Sequence, residues 1–185
     1  MFDFLKDAMY DAGVFEYGVI SPADIEYRQM IRDICEDGAS RRHGTTWSSP
    51  PAIGALDECR ERALQYDKML VFTAVTLLED SFDYEGMIDG MSEFKQIALR
   101  LESLVEPHVG AHLVLSNDSC EECEDCTYPD APCRFPSKLH HSVEGYGILV
   151  NELAERSGLK YNNGPDTVTY FGAVLFDSSD FKDEA

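Results

Sequence analysis

The apolar positions of this chain recur with two different periods, and those periods divide it into helices and strands. Phe2, Leu5 and Met9 fall at helical spacing and predict a short amphipathic helix over residues 3–12. Ser21-Pro22 supplies an N-cap with proline at the first helical position. Ile25, Tyr27, Met30, Ile31 and Ile34 then read as one side of a helix ending near Glu36. Residues 38–52, with glycine turns and Ser48-Ser49-Pro50-Pro51, predict a loop. Leu56, Cys59, Ala63 and Leu64 mark the next helix, and the nearly unbroken apolar run from Met69 to Leu78 fits a strand covered on both faces. Met87, Met91, Phe94, Ala98, Leu101 and Val105 form a long helical stripe that Pro107 is expected to stop. His112 to Leu115 reads as a second strand.

Further on, Val143, Tyr146, Val150, Leu153 and Ala154 predict a helix closed by Gly158. Asn162-Asn163-Gly164-Pro165-Asp166 is a turn signal between Leu159–Tyr161 and Thr167–Phe176, and the last of these reads as a long strand. The order of elements predicts one α+β domain over residues 1–176, a mainly antiparallel or mixed sheet with helices packed mostly on one face. A cysteine loop occupies 116–136, and 177–185 reads as an acidic, flexible tail.

Composition narrows the partners. Asp and Glu outnumber Lys and Arg by 35 to 15, a formal charge of -20. Such a surface repels phosphate backbones and anionic lipid, which argues against nucleic acid and membrane and suits a basic protein partner. A generally acidic or salt-adapted proteome would also produce it. The first residues lack a basic start and a long apolar run, so no signal peptide is expected. No stretch approaches the roughly 20 apolar residues that cross a bilayer. The expectation is a cytoplasmic protein, where clustered cysteines mean metal or redox chemistry rather than disulfides.

Cys120, Cys123, Cys126 and Cys133 form a C-x2-C-x2-C-x6-C run followed by Arg134-Phe135-Pro136. Three thiols spaced by three can turn inward from one tight loop, and bacterial ferredoxins ligate clusters with a similar run. The first reading is a [4Fe-4S] cluster on these four cysteines. Structural zinc on four thiolates is the second, although such sites normally combine two separate C-x2-C pairs. A metal-free or redox thiol site is the third. Asp118, Glu121, Glu122, Glu124, Asp125 and Asp130 crowd the loop, and their charge would disfavour an added electron and keep a cluster's potential low. Arg134 reads as a donor to cluster sulfur, a clamp on Glu144, or a surface ion pair.

Cys120-Glu-Glu-Cys123-Glu-Asp-Cys126-Thr-Tyr-Pro-Asp-Ala-Pro-Cys133-Arg-Phe-Pro resembles the cysteine block of a bacterial and archaeal family of predicted metal-binding proteins, domain of unknown function 2284. Ser142–Val150, Val168–Gly172, Ile31–Gly54, Tyr66-Asp67 and Asp80–Asp83 are similar to its other blocks, so the resemblance covers most of the chain. It implies metal binding and names no reaction. Members usually carry three further cysteines upstream. This chain keeps the first as Cys35 and has Ser40 and Ser49 where the others would stand, beside Trp47 and Pro50-Pro51. Serine is a far poorer soft-metal ligand than thiolate, so the resemblance implies a degenerate second site whose segment survives as packing.

The remaining residues read more plainly. His112 alternates with apolar neighbours in a strand and suits a structural role. His140 and His141 stand near a ligand set that the four cysteines already complete. Cys35 and Cys59 sit on or beside apolar helix faces, where a free cysteine behaves as a small hydrophobe. Glu79, Asp80, Asp83 and Glu85 fit a helix start. No Gly-rich phosphate loop, H-E-x-x-H or nucleophile elbow is present. Three functions follow: electron transfer with a protein partner or its reductive activation, a zinc-stabilised interaction module, and an enzyme with a pocket against the metal lined by Trp47, His43 or Glu144.

Overall fold

The computed structural model describes residues 1–39 and 43–182. Five strands form one mixed sheet in the order β1-β2-β5-β3-β4: β1 Glu16–Ile20, β2 Lys68–Leu77, β3 His112–Ser116, β4 His141–Ser142 and β5 Thr167–Phe176. The helices are α1 Lys6–Asp11, α2 Gln29–Ile34, α3 Leu56–Ala63, α4 Tyr84–Val109 and α5 Val150–Ser157. β2 and β5 pair antiparallel along their whole length, from Lys68 opposite Phe176 to Leu77 opposite Thr167. β1 and β3 flank them antiparallel, and β4 lies parallel to β3 through Leu115–His141 and Ser116–Ser142. This is the expected α+β domain with a mixed sheet.

The packing of helices differs from expectation. The side chains of β2 alternate between two cores: Leu70, Phe72 and Ala74 face α1 and α4, whereas Met69 and Val71 face Cys59 and Ala63 of α3 and Leu153 and Ala154 of α5. β5 does the same, with Val174 and Phe176 on the first side and Phe171, Ala173 and Leu175 on the second. Both faces are therefore covered, which is what the unbroken apolar run of β2 demands. On the α4 side, Phe72 stacks on Phe94 at 5.2 Å between ring centroids. Gly172 stands opposite Phe72 in the ladder, and a Cβ there would meet that ring at 2.5 Å and the Leu115 carbonyl at 2.9 Å.

Several elements depart from the sequence pattern. β1 was not expected, and it closes one end of the sheet. The helix foreseen from Pro22 breaks after a single 3-10 turn, Pro22–Asp24, because Tyr27 bridges Ile148 and the Arg28 amide donates to the Gly147 carbonyl at 2.8 Å. Only then does α2 begin. The helix foreseen from Val143 is a buried 3-10 turn, Glu144–Tyr146, and α5 starts at Val150. Leu159–Tyr161 is not a strand, so the Asn162–Asp166 turn leads from α5 to β5. α4 runs past Pro107 and ends at Gly110, whose φ of 64° breaks the helix.

Residues 177–182, expected to be part of a mobile tail, instead pack back onto the domain. Ser178 bonds Asp67, the Lys182 amide donates to the His108 carbonyl, and Phe181 sits edge-on to Phe2 at 5.0 Å. Residues 183–185 lie outside the described residues. No described helix is long and apolar enough to cross a membrane.

The Phe72–Gly172 contact gives a stability prediction. Gly172→Ala should lower the free energy of unfolding by about 1–3 kcal/mol through overpacking, measured by urea denaturation. An unchanged midpoint would show that the ring moves aside freely.

Candidate metal centre

A parallel pair of strands needs a crossover between them, and here the crossover is the cysteine segment. The chain leaves β3 at Ser116, makes the loop, and returns at His141 to lie beside the same strand. Both ends of the loop are thus tied to one sheet edge. Its interior has almost no regular structure, so specific hydrogen bonds shape it. The Ala131 amide donates to the Thr127 carbonyl at 2.9 Å, and the Thr127 hydroxyl to the Pro132 carbonyl at 2.9 Å. Arg134 reaches back across the loop, its Nη1 donating to the Asp125 carbonyl at 2.9 Å.

The upstream Thr46–Ser49 segment braces the loop from outside. The Cys120 amide donates to the Ser48 hydroxyl at 2.8 Å, and the Trp47 indole N–H donates to the Ala131 carbonyl at 3.0 Å. Trp47 also meets Tyr128 edge-on at 4.9 Å. Ser48 is fully buried and lies 3.1 Å from Thr46 Oγ1, which also bonds Ser49 at 2.8 Å. The segment therefore packs on the cysteine loop, and Ser49 is a buried member of a hydroxyl cluster. Cys35 opens a π-helical turn, Cys35–Ala39, after α2. Burial, then Glu144 and Asp118, push its thiol upward against the pull of Arg32. Ser40, the third residue of the degenerate site, lies outside the described residues.

Cys120, Cys123, Cys126 and Cys133 all line one small cavity, with Trp47, Glu122, Arg134, Phe135 and Leu139 completing its wall. All four are partly exposed and none is in a disulfide. As placed, no group of three His, Cys, Asp or Glu side chains among the described residues closes on a common metal position. The donor set suits a soft metal or a cluster: thiols, one cavity, no competing His on its wall. Burial and the neighbouring Glu122, Cys133 and Cys123 raise the Cys120 thiol, while the Glu122 amide opposes them.

Arg134 lines the cavity but spends its Nη1 on the loop backbone. Glu144 sits elsewhere, with Oε2 buried and lacking a hydrogen-bond partner. Burial raises its carboxyl to about 7; Asp118 adds to this, and Lys95 and two backbone amides oppose it. Its electrostatic neighbours are Asp118 and Lys95, so the foreseen Arg134–Glu144 clamp gives way to the Arg134–Asp125 bond. Cys59 is remote from the loop, fully buried, with Sγ on the Ile53 carbonyl and 3.2 Å from Arg62 Nη2. The acidic run after β2 is a helix start: Asp83 caps α4 through the Gly86 amide at 2.9 Å.

The pattern reading missed the anchor behind the loop. Glu102 on α4 takes His112 Nε2 of β3 on Oε1 at 3.2 Å and His140 Nε2, just before β4, on Oε2 at 2.8 Å. One carboxylate thus ties the helix to the start of β3 and to the residue just before β4. Its signal was present: Met91, Lys95, Ala98 and Glu102 lie on one line along α4, so two polar residues flank a buried stripe. Burial raises the Glu102 carboxyl, but the two histidine bonds outweigh it and hold the group at about 2. The Glu102 bond raises His112, against burial.

With the fold and the cysteine cavity described, the chain is an α+β protein whose four motif thiols line one cavity at the sheet edge. It belongs to the family of predicted metal-binding proteins, domain of unknown function 2284, whose model matches residues 18–176. No curated protein and no solved structure matches the chain.

Two predictions follow from this geometry. The Glu102 contribution is present above the ordinary carboxylate range and is lost as pH falls through about 2, whereas that of His112 is complete below about 6.5 and is lost as pH rises through its raised value. The clamp should therefore contribute most between about pH 4.5 and 6.5. Glu102→Gln should cost about 1–2 kcal/mol at pH 5.5 and flatten the acid limb of a stability–pH curve. An acid limb identical to wild type would discount the clamp. Trp47 is the sole tryptophan, so its fluorescence reads the loop directly. Ser48→Ala should shift that emission at low denaturant, before far-ultraviolet dichroism reports loss of the sheet.

Proposed function

We propose that Cys120, Cys123, Cys126 and Cys133 together hold one [4Fe-4S] cluster, and that the chain passes single electrons to or from a protein partner. The observation that carries this reading is the presence of all four thiols of the motif on one cavity wall. A cluster of this kind supplies one-electron redox chemistry when bound. The protein's part is to hold the loop's shape and to set its electrostatics. Trp47 and Phe135 wall the cavity, Arg134 and Trp47 fasten the loop backbone, and Ser48 holds the Cys120 amide. Nearby carboxylates disfavour added negative charge, which points to a low potential, near or below roughly −400 mV. The same acidity favours a basic partner surface and steers its approach. A reducing, cytoplasmic compartment suits six cysteines that are all free thiols.

Protein purified without oxygen should contain about four iron and four acid-labile sulfide per chain. Cys123→Ser or Cys126→Ser should abolish that content, while Cys59→Ser, remote from the cavity, should retain it. One zinc per chain with no sulfide would replace this reading with a structural zinc site, and equal metal loss in all three variants would move the site elsewhere.

A further inference from the structure

Beside the cysteine cavity lies a second cleft, between α4, the end of β3 and the start of the loop. Lys95, Leu99, Ser116, Asn117, Ser119 and Cys120 line it together with Glu121, Glu122, Lys138 and His140. We propose that this cleft binds a small carboxylate anion, with Lys95 Nζ and Ser119 Oγ as its principal donors.

The argument starts from unmatched donors. Lys95 is 8% exposed and Ser119 2% exposed, and neither Nζ nor Oγ has a hydrogen-bond partner. Glu121 Oε1 lies 2.9 Å from Nζ, close enough for an ion pair but without hydrogen-bond alignment. An ammonium has three N–H donors and no acceptor, so one misaligned carboxylate oxygen leaves most of its capacity unused. Buried donors left unmatched are costly, and a native structure that keeps two on one small cleft calls for an acceptor there. Asn117, also on the lining, donates its side-chain amide to the Met91 carbonyl at 3.5 Å.

Two lysines and two glutamates balance in the cleft, so the unused donors, rather than net charge, select the sign of the ligand. Lys95 and Lys138 are two of only six lysines in a chain of net charge -20, and both stand at this cleft. The two glutamates of its lining are already engaged: Glu121 accepts from the Ser92 hydroxyl at 2.8 Å, and Glu122 pairs with Lys138 at 2.9 Å. The donors left to an entering anion are Lys95 Nζ and Ser119 Oγ. Size selects the class. The cavity is about 20 Å³, room for a water or the head of a small anion, and Leu99 provides an apolar wall for a short carbon substituent. A planar, two-oxygen carboxylate fits these demands better than a tetrahedral oxyanion, which spreads its acceptors on all sides. Cys120 lines both cavities, so the bound anion would lie directly behind the cysteine centre. The site goes beyond the electron-transfer proposal and does not require it.

The test is the thermal midpoint of the full chain, purified without oxygen, titrated with sodium acetate and compared with chloride and inorganic phosphate at matched pH and ionic strength. Iron and sulfide are measured in the same samples. Acetate should raise the midpoint of wild type saturably. Ser119→Ala and Lys95→Met should each weaken that apparent affinity by on the order of tenfold, the loss of a charge-assisted hydrogen bond. Saturation-transfer NMR with acetate on wild type provides a second readout should Lys95→Met fail to fold. Acetate acting no differently from chloride, with no transfer signal, would overturn the site and leave only water in the cleft. Phosphate stabilising as well as acetate would overturn the carboxylate assignment. Saturable acetate binding without iron would sink the cluster reading alone, and full iron without acetate binding would sink this one alone.

Discussion

Everything in this molecule hangs on the ten-residue antiparallel ladder between β2 and β5. The ladder occupies the middle of the sheet, and its side chains alternate into two separate cores. A strand pair buried on both faces fixes its register firmly, because a slip by one residue would exchange the two sets of side chains. Phe72 depends on that register more than any other residue, since its ring fits only where its neighbour across the ladder has no side chain. β1, β3 and both helical layers are then placed against an already determined surface.

The cysteine segment inherits its position from this frame without sharing its regularity. β3 is fixed by β5, β4 is fixed by β3, and the intervening chain spans a parallel pair with one 3-10 turn, Pro136–Lys138, and no α-helix. Side chains from elsewhere supply the missing order: Ser48 and Trp47 on one flank, Glu102 with its two histidines behind. Irregular chain held at its ends by a rigid scaffold is the setting in which binding residues are most often found.

Legibility in the sequence followed burial and length. β2, β5 and α4 were plain because each is long, apolar and periodic. β1 was legible in principle, since Phe15, Tyr17 and Val19 alternate, but Gly18 at its centre weakens the pattern. That glycine is required because a Cβ would come within 2.5 Å of the Ser157 carbonyl at the end of α5. Where apolar residues were buried by irregular chain, helical spacing misled. Val143 and Tyr146 are core residues on a 3-10 turn, and Tyr27 is spaced like its helical neighbours yet sits in extended chain paired with Ile148. Of the candidate metal centre, the sequence offers the cysteine run and the segment that packs against it. For Glu102 and Lys95 it offers only polar positions on the buried line of α4, because their partners arrive from β3, the residue before β4 and the loop.

The two borders of the sheet are unlike each other, and that asymmetry bears on self-association. On one side the last strand is only two residues long and turns at once into a buried 3-10 turn, so it offers a neighbouring chain almost no free backbone to zip onto. On the other side β1 is five residues long, α5 ends against the face of its middle residue Gly18, and Glu16 accepts the Lys160 amide. Neither border presents a long, flat template. The four thiols of the loop thus sit beside a sheet whose short borders give it little room to grow into a larger one.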